Sequence, residues 1–206
     1  MVSKSTKWVH FHGLKPYIDE SIDFLLRRLY QHHRHTYLHT ITTAQLALLF
    51  AEASQMNEEE KLPFIRSVLL HDIGILHIPQ NGLKDIYLNA DAWQAYKQHP
   101  TLSMNIVRSL NISNVHEEMI LYHHENLDGS GYPYQLDWQH LSYEVRVLRI
   151  IDSFAVITRE ANPYIRSLDT MLDELYTWSD ILYDAEIVEH FSYMIRLVVE
   201  GERSKR

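Results

Sequence analysis

Apolar residues recur along this chain with the period of an α-helix. In residues 16–30 they return every three or four positions, and Pro16 stands where proline favours the start of a helix. Residues 39–53, dense in alanine and leucine, predict a buried helix, and Asn57 followed by three glutamates predicts a capped helix that runs to about Leu70. Further helices are predicted over 90–99, 101–110, 114–124, 142–159, 168–178 and 185–200.

Between these helices the chain carries turn-forming residues but no strand pattern. Gly74, Pro79 and the Asn81–Gly82 pair mark a long loop. Period-two alternation is not sustained anywhere, so the sequence predicts an all-α fold without a sheet. No linker or internal repeat divides the chain. The predicted organisation is an N-terminal tail over 1–14, one helical domain over 15–195 and a C-terminal tail over 196–206.

Composition narrows the class of protein. The chain has 206 residues, of which 46% are hydrophobic, enough for one domain with a sizeable core. A formal net charge of −8 argues against a protein that binds DNA through a basic face. Cysteine is absent, which excludes disulfides and thiolate chemistry. Neither a signal peptide nor a long apolar run is present in the sequence, so we expect a cytoplasmic protein without a membrane partner.

Histidine is the unusual residue, with 14 copies scattered along the chain. Because there is no cysteine, any transition-metal site must be built from imidazole and carboxylate groups. His71 and Asp72 follow an apolar helix, where consecutive residues point about 100° apart. This pair cannot ligate one metal from a single helix face, although a carboxylate can bridge two ions while the histidine serves one. Alternatively, both side chains bond to the backbone at the helix C-terminus.

Other polar residues interrupt apolar helices in the same way. His39 begins a buried helix and taken alone suits a satisfied core histidine, while Asp152 must pair with a cation, a metal or strong donors. Their joint order is more specific than any member, because two hard-to-borderline ions with open water positions need about seven nitrogen and oxygen ligands. The candidate ligands are His39, His71, Asp72, His99, His123, His124 and Asp152.

These motifs resemble the HD-GYP family, the subgroup of HD-domain metal-dependent phosphohydrolases that hydrolyse cyclic di-GMP. Residues 71–74, His-Asp-Ile-Gly, correspond to the HD motif, and residues 123–133 correspond to the HHE…DGxGYP signature. The resemblance covers about residues 15–195. It implies a helical bundle around two, sometimes three, metal ions, commonly iron, whereas imidazole–carboxylate sites also suit manganese, nickel or zinc.

The resemblance also implies how the ligands divide. His39, His71, Asp72 and Asp152 would hold one ion, and Asp72 would bridge to a second ion. That second ion would be held by His99, His123 and His124. His35 stands where some members have a third-metal glutamate, which argues against a third ion although its imidazole could still ligate.

The chemistry implied by the family is phosphodiester hydrolysis by a hydroxide that bridges the two metals, giving linear pGpG, GMP or both from cyclic di-GMP. Asp72 and His71 would be the catalytic residues through the metals that they hold. The side chains predicted to contact substrate are Lys84, Arg146, Arg159 and Tyr132.

Several family positions are changed. The usual lysine of HDxGK is Ile75, which removes a charged hydrogen bond to phosphate that is worth roughly 1.5–3 kcal/mol. Ser103 replaces a glycine, and residues 162–165 lack both arginines of the usual RPYR motif. Alternatives to cyclic di-GMP hydrolysis therefore stay open. They are a catalytically weak metal-containing module that senses nucleotides or contacts a protein through its GYP loop, and a phosphohydrolase for another nucleotide.

The signature loop carries two further expectations. Gly129 and Gly131 suit a tight turn with positive φ. Glu125 either orients the neighbouring histidine or is solvated.

Overall fold

The protein is all-α throughout the residues that its computed structural model describes, 13–84, 88–159 and 167–203. The only β-type pairing within those ranges is two isolated bridges, Asp128–Asp137 and Ser179–Tyr183, so the prediction of a fold without a sheet is confirmed. Its helices are α1 (Glu20–His32), α2 (Arg34–Ala53), α3 (Glu58–Leu70), α4 (Gln80–Lys84), α5 (Ala90–Tyr96), α6 (His99–Ser109), α7 (Glu117–Tyr122), α8 (Tyr143–Arg159), α9 (Leu168–Thr177) and α10 (Ala185–Arg203).

Side-chain caps decide where the first helices begin. Asp19 accepts a hydrogen bond from the backbone of Ile22, so α1 begins at Glu20, while Pro16 lies in a preceding 3₁₀ turn and not at the helix start. His33 caps α2, which therefore begins five residues before the predicted His39. The predicted capping box of α3 is confirmed, since Asn57 and Glu60 bond to each other's backbone N–H groups.

The stretch predicted as one long loop after α3 is more ordered than expected. It contains a 3₁₀ helix over Ile73–His77 as well as α4. Ile75, at the position of the family's lysine, is buried in the hydrophobic core. The 3₁₀ helix packs closely on α6, so its apolar side chains are stabilised by tertiary burial that helical periodicity alone does not reveal.

Helix α2 lies at the centre of the molecule, where it packs against α1, α3 and α8. The core around it is built from large apolar side chains such as Phe50, Phe64 and Ile151. Polar residues on these central helices are therefore surrounded by hydrocarbon, and each needs a partner of its own.

At the C-terminal end, α10 continues to Arg203, three residues beyond the predicted helix. The domain limits at residues 15 and 195 stay a prediction. No helix among the described residues is long and apolar enough to cross a bilayer.

Candidate metal centre

The fold brings all seven predicted ligands into one interior cluster. Helix α2 supplies His39, α8 supplies Asp152, and His99 is the first residue of α6. The remaining four follow the ends of two helices: His71 and Asp72 after α3, and His123 and His124 after α7. Six of the seven are buried, and His124 is partly exposed.

Within this cluster the potential ligand atoms form two groups that share Asp72. One group is His39, His71 and Asp72, and the other is Asp72, His99, His123 and His124; in each, the ligand atoms lie within 4.8 Å of one another. Asp152 joins the first group, because its Oδ1 lies 2.7 Å from His39 Nε2 and 3.5 Å from His71 Nε2. Its Oδ2 lies 3.9 Å from His124 Nδ1 of the second group, and the assignment of the ligands to two separate ions stays a prediction.

The local backbone explains how His71 and Asp72 reach the same group. Helix α3 ends at Leu70, and Asp72 has φ −100° and ψ 4°, outside helical geometry. The rotation of about 100° between neighbours in a helix therefore does not apply. His71 Nε2 lies 3.4 Å from Asp72 Oδ2, so the restriction predicted for a helical pair does not apply to these two residues.

Three imidazoles are oriented by the backbone of their own helical turn. The Nδ1 atoms of His71, His99 and His123 lie 2.6, 2.8 and 2.9 Å from the carbonyl oxygens three residues earlier. A carbonyl only accepts, so each Nδ1–H donates, and each Nε2 faces the cluster, where it can bind a proton or a metal ion. Metal-ligating histidines commonly hold their second nitrogen in this way. The backbone-bonding alternative for His71 is therefore correct for one nitrogen, while the other remains available as a ligand.

The facing nitrogen atoms fit a bound cation. His99 Nε2 lies 3.1 Å from His123 Nε2 and 3.1 Å from Asp72 Oδ1. Two lone pairs at that separation repel unless a proton or a cation lies near both. Among the described residues, the buried Nε2 atoms of His71 and His124 have no hydrogen-bond partner. Buried polar atoms are rarely left unpaired, so the donor set fits divalent metal ions.

Electrostatics in the cluster lower the pKa of both carboxylates and of the two adjacent histidines, His123 and His124. Burial raises the pKa of Asp72, but His71 and His99 outweigh it and hold that pKa well below its usual value. Burial lowers the pKa of His71, yet Asp72 and Asp152 raise it to about 9. Burial and its histidine neighbours lower the pKa of His123 to about 3. A proton and a metal ion would therefore compete for His71 Nε2.

Ser103, which replaces a family glycine, joins the two sides of the site. Its hydroxyl donates to the carbonyl oxygen of His71 at 2.6 Å and accepts from the N–H of Gly74 at 2.8 Å. A Cβ on Gly74 would lie 2.2 Å from the carbonyl oxygen of His99, so only glycine fits there. Ser103 is fully buried, so its role is to join α6 to the His-Asp turn.

The GYP turn packs onto the backbone of the paired histidines. Gly129 has φ +76°, as expected of a tight turn, whereas Gly131 does not have positive φ. Gly131 is required by proximity, because an added Cβ would lie 2.4 Å from Cα of Glu125 and 2.5 Å from the carbonyl oxygen of His124. Tyr132 N–H donates to the same carbonyl oxygen at 3.2 Å. The turn is thereby fixed against the cluster.

The carboxylate of Glu125 holds the chain that follows this turn. Both expectations for it are wrong, because it is fully buried and its carboxylate accepts from the backbone N–H groups of residues 134–136 at 2.7–3.1 Å. Burial raises the pKa of Glu125, while the three N–H donors oppose that shift. Glu125 thus holds the segment after Pro133 and leaves the histidines to other partners.

Replacing Glu125 with alanine is expected to lower the free energy of unfolding by about 3 kcal/mol, since three hydrogen bonds are lost at about 1 kcal/mol each. Chemical denaturation of the two proteins measures this difference. Glu118→Ala is the control, because Glu118 is an exposed carboxylate in the same stretch of chain. Equal stability of the Glu125 and Glu118 variants would show that the turn does not depend on this carboxylate.

The predicted substrate contacts lie at different places. The ring of Tyr132 lies 4.7 Å from that of His124, beside the cluster. Arg146 pairs instead with Asp184 at the start of α10, and Lys84 is exposed at the end of α4. The side chain of Arg159 and all of residues 162–165 lie outside what the structure describes. Contact of these side chains with substrate stays a prediction.

Arg149 is a cation near the cluster that the sequence did not reveal. Its Nε donates to Asn126 Oδ1 at 2.9 Å and its Nη1 to Ser153 Oγ at 2.5 Å. These partners follow His124 by two residues and Asp152 by one. Burial lowers the pKa of His124 well below its usual value, and Arg149 contributes to that shift. Its position one helical turn before Asp152 was the available signal.

A helical bundle with a buried cluster of histidines and aspartates is characteristic of one class of metal-binding domains. A family profile described as the HD domain matches residues 23–187. The chain therefore belongs to the HD domain family, and the resemblance found in the sequence is confirmed.

Relatives of this chain are named as phosphodiesterases of cyclic dinucleotides. A cyclic di-GMP phosphodiesterase of Thermotoga maritima is 30% identical over 175 residues, which are 83% of this chain and 48% of that protein. A 3′3′-cGAMP-specific phosphodiesterase of Vibrio cholerae is 33% identical over 134 residues, 65% of this chain and 31% of that protein. The chain therefore spans about half the length of the first relative and about a third of the second.

The fold itself matches a solved HD domain. The HD domain of the phosphodiesterase PgpH of L. monocytogenes, solved in complex with cyclic di-AMP, aligns with a TM-score of 0.65. The alignment covers 88% of this chain and 98% of that chain, at 15% sequence identity. A sequence identity this low supports a conclusion about the fold alone. The comparison confirms the all-α HD-domain architecture.

Proposed function

We propose that this chain is a metal-dependent phosphodiesterase that hydrolyses a cyclic dinucleotide, with cyclic di-GMP as the first candidate. The observation that carries the proposal is the pair of ligand groups sharing Asp72, with unpartnered histidine nitrogens facing inward. The names of the relatives favour the substrate class. A purely structural role would not require two adjoining groups of lone pairs in a hydrocarbon core.

The seven candidate ligands would hold two divalent ions. Iron is the first candidate, and manganese, nickel and zinc are alternatives. His39, His71, Asp72 and Asp152 would bind one ion, and Asp72, His99, His123 and His124 the other. Such ions supply Lewis acidity towards the phosphate and lower the pKa of water. We propose no third ion, because His35 is exposed.

The chain's own contribution is orientation and charge. Asp72 directs Oδ1 towards His99 and Oδ2 towards His71, so one carboxylate links both groups. Three carbonyl acceptors hold the imidazole rings, which places the ligands before substrate arrives. Arg149 supplies positive charge beside His124, and this charge would favour an anionic substrate close to the cluster.

Hydrolysis by the full chain, purified without oxygen and loaded with iron or manganese, tests the proposal. Cyclic di-GMP, 3′3′-cGAMP and cyclic di-AMP are incubated separately, and the products are separated by chromatography. We expect turnover of at least one of them, with cyclic di-GMP giving pGpG, GMP or both. The protein without metal serves as the control.

If protein shown by elemental analysis to hold two metals per chain turns over none of the three, the phosphodiesterase proposal is wrong for cyclic dinucleotides. Tight binding of cyclic di-GMP without turnover would instead identify a nucleotide-sensing module. The order of the three rates decides the substrate, which the differing names of the relatives leave open.

A further inference from the structure

An aromatic group lies beside the cluster, outside the set of ligands. Helix α5 carries Trp93 and Tyr96, whose ring centroids are 5.6 Å apart with planes inclined by only 16°. Tyr132 of the GYP turn meets Trp93 edge-on, at 5.9 Å and 78°. All three side chains are partly exposed. Two segments that are distant in sequence thus build one aromatic surface at the boundary with solvent.

The aromatic surface continues directly into one half of the metal centre. The ring of Tyr96 lies 4.7 Å from that of His99, and the ring of Tyr132 lies 4.7 Å from that of His124. Both histidines belong to the second ligand group. If a phosphate is held at that group, the sugar attached to it could place its base against the aromatic surface.

The chemistry of the surface suits a flat, electron-rich heterocycle. Aromatic side chains stack on nucleobases with about 1–3 kcal/mol per base. Lys97 Nζ lies over the ring of Trp93, 5.9 Å from its centroid, which adds a cation to the aromatic surface. Purines offer a larger stacking area than pyrimidines, and their ring nitrogens can accept a hydrogen bond from a lysine such as Lys97.

We propose that Trp93, Tyr96 and Tyr132 form a platform that binds one purine base of the nucleotide substrate. This inference rests on the proposed function and deepens it, because the platform determines which diester is presented to the metal centre. Trp93 is a specificity-determining residue in this arrangement, while the chemistry remains with the cluster.

Kinetics of Trp93→Leu on two substrates test the platform in the metal-loaded full chain. One substrate is cyclic di-GMP, and the other is the base-free analogue in which hydrogen replaces both guanines. Loss of one stacked base is expected to reduce kcat/KM for cyclic di-GMP by about 5- to 150-fold. The base-free analogue should be hydrolysed as by the original protein. Trp93→Phe keeps an aromatic ring and should restore most of the activity.

Binding provides a readout that does not depend on turnover. Calorimetry compares GMP with ribose 5-phosphate, which differ by the base, on the original protein and on Trp93→Leu. We expect the original protein to prefer GMP and the variant to lose that preference. Trp178→Leu is the matched control, since Trp178 is an exposed tryptophan at the end of α9.

The outcomes separate the two proposals. Failure of the original protein to hydrolyse any cyclic dinucleotide removes the proposed function, while a base preference lost in Trp93→Leu still supports the platform. Equal loss on both substrates, or a melting temperature lowered in Trp93→Leu without a change in base preference, assigns the rings to packing and overturns the inference.

Discussion

Replacement of Asp72 by asparagine is expected to remove most of the bound metal and to reduce hydrolysis by at least about 100-fold. Loss of a residue that merely supports a ligand commonly lowers metal affinity or activity about 10- to 100-fold, and Asp72 is shared by both ligand groups. The amide keeps the shape of the side chain but removes the negative charge that offsets His71 and His99. Elemental analysis and the cyclic di-GMP assay measure the two effects.

Asp173→Asn is the matched control for this change, because Asp173 is an exposed aspartate on α9. It should retain metal and activity. Circular dichroism of Asp72→Asn must show an intact helical fold for the comparison to hold. An Asp72 variant that kept its full metal content and rate would refute the role of this carboxylate as the link between the two groups.

Replacement of Gly74 by alanine is expected to lower the free energy of unfolding by about 3 kcal/mol, at the upper end of the usual cost of overpacking. The added methyl would lie 2.2 Å from the His99 carbonyl oxygen and 2.6 Å from the Ser103 backbone nitrogen, and neither backbone atom can move without displacing α6. For a chain of this size the melting temperature should fall by about 6–12 °C. Metal affinity should fall as well, because α6 carries His99.

Gly82→Ala is the control, since an added Cβ at Gly82 meets nothing within 4 Å. Thermal unfolding of the two variants under the same conditions measures the difference. If Gly74→Ala unfolds at the same temperature as Gly82→Ala, the tight contact between the His-Asp turn and α6 is not a determinant of stability.

The cluster could be predicted from sequence because its members are polar residues in apolar surroundings. Each interruption, such as His39 or Asp152, is costly unless it has a partner, and their shared order indicates that they are one another's partners. The start of α3 was also accessible, because Asn57 and Glu60 form a local signal. Asp19 and His33 cap α1 and α2 just as locally, but neither has the glutamate three residues later that marks a capping box.

Other features depend on contacts between distant segments. Glu125 bonds to residues nine to eleven positions later, and Ser103 bonds across from α6 to the turn after α3. Arg149 and the approach of Trp93 to Tyr132 likewise follow from how α5, α8 and the GYP turn pack. Neither periodicity nor motif spacing encodes the partners of Glu125, Ser103 and Trp93, so these contacts became visible only in the fold.

The carbonyl contacts of His71, His99 and His123 bear on the order of events during folding. Each ring is aligned by an oxygen three residues earlier in the same segment, so its direction is set as soon as that turn forms. We therefore expect fewer ring rotamers to remain for selection when the helices pack together. Metal ions bound there, as proposed above, would meet three nitrogens whose directions are already set by their own turns.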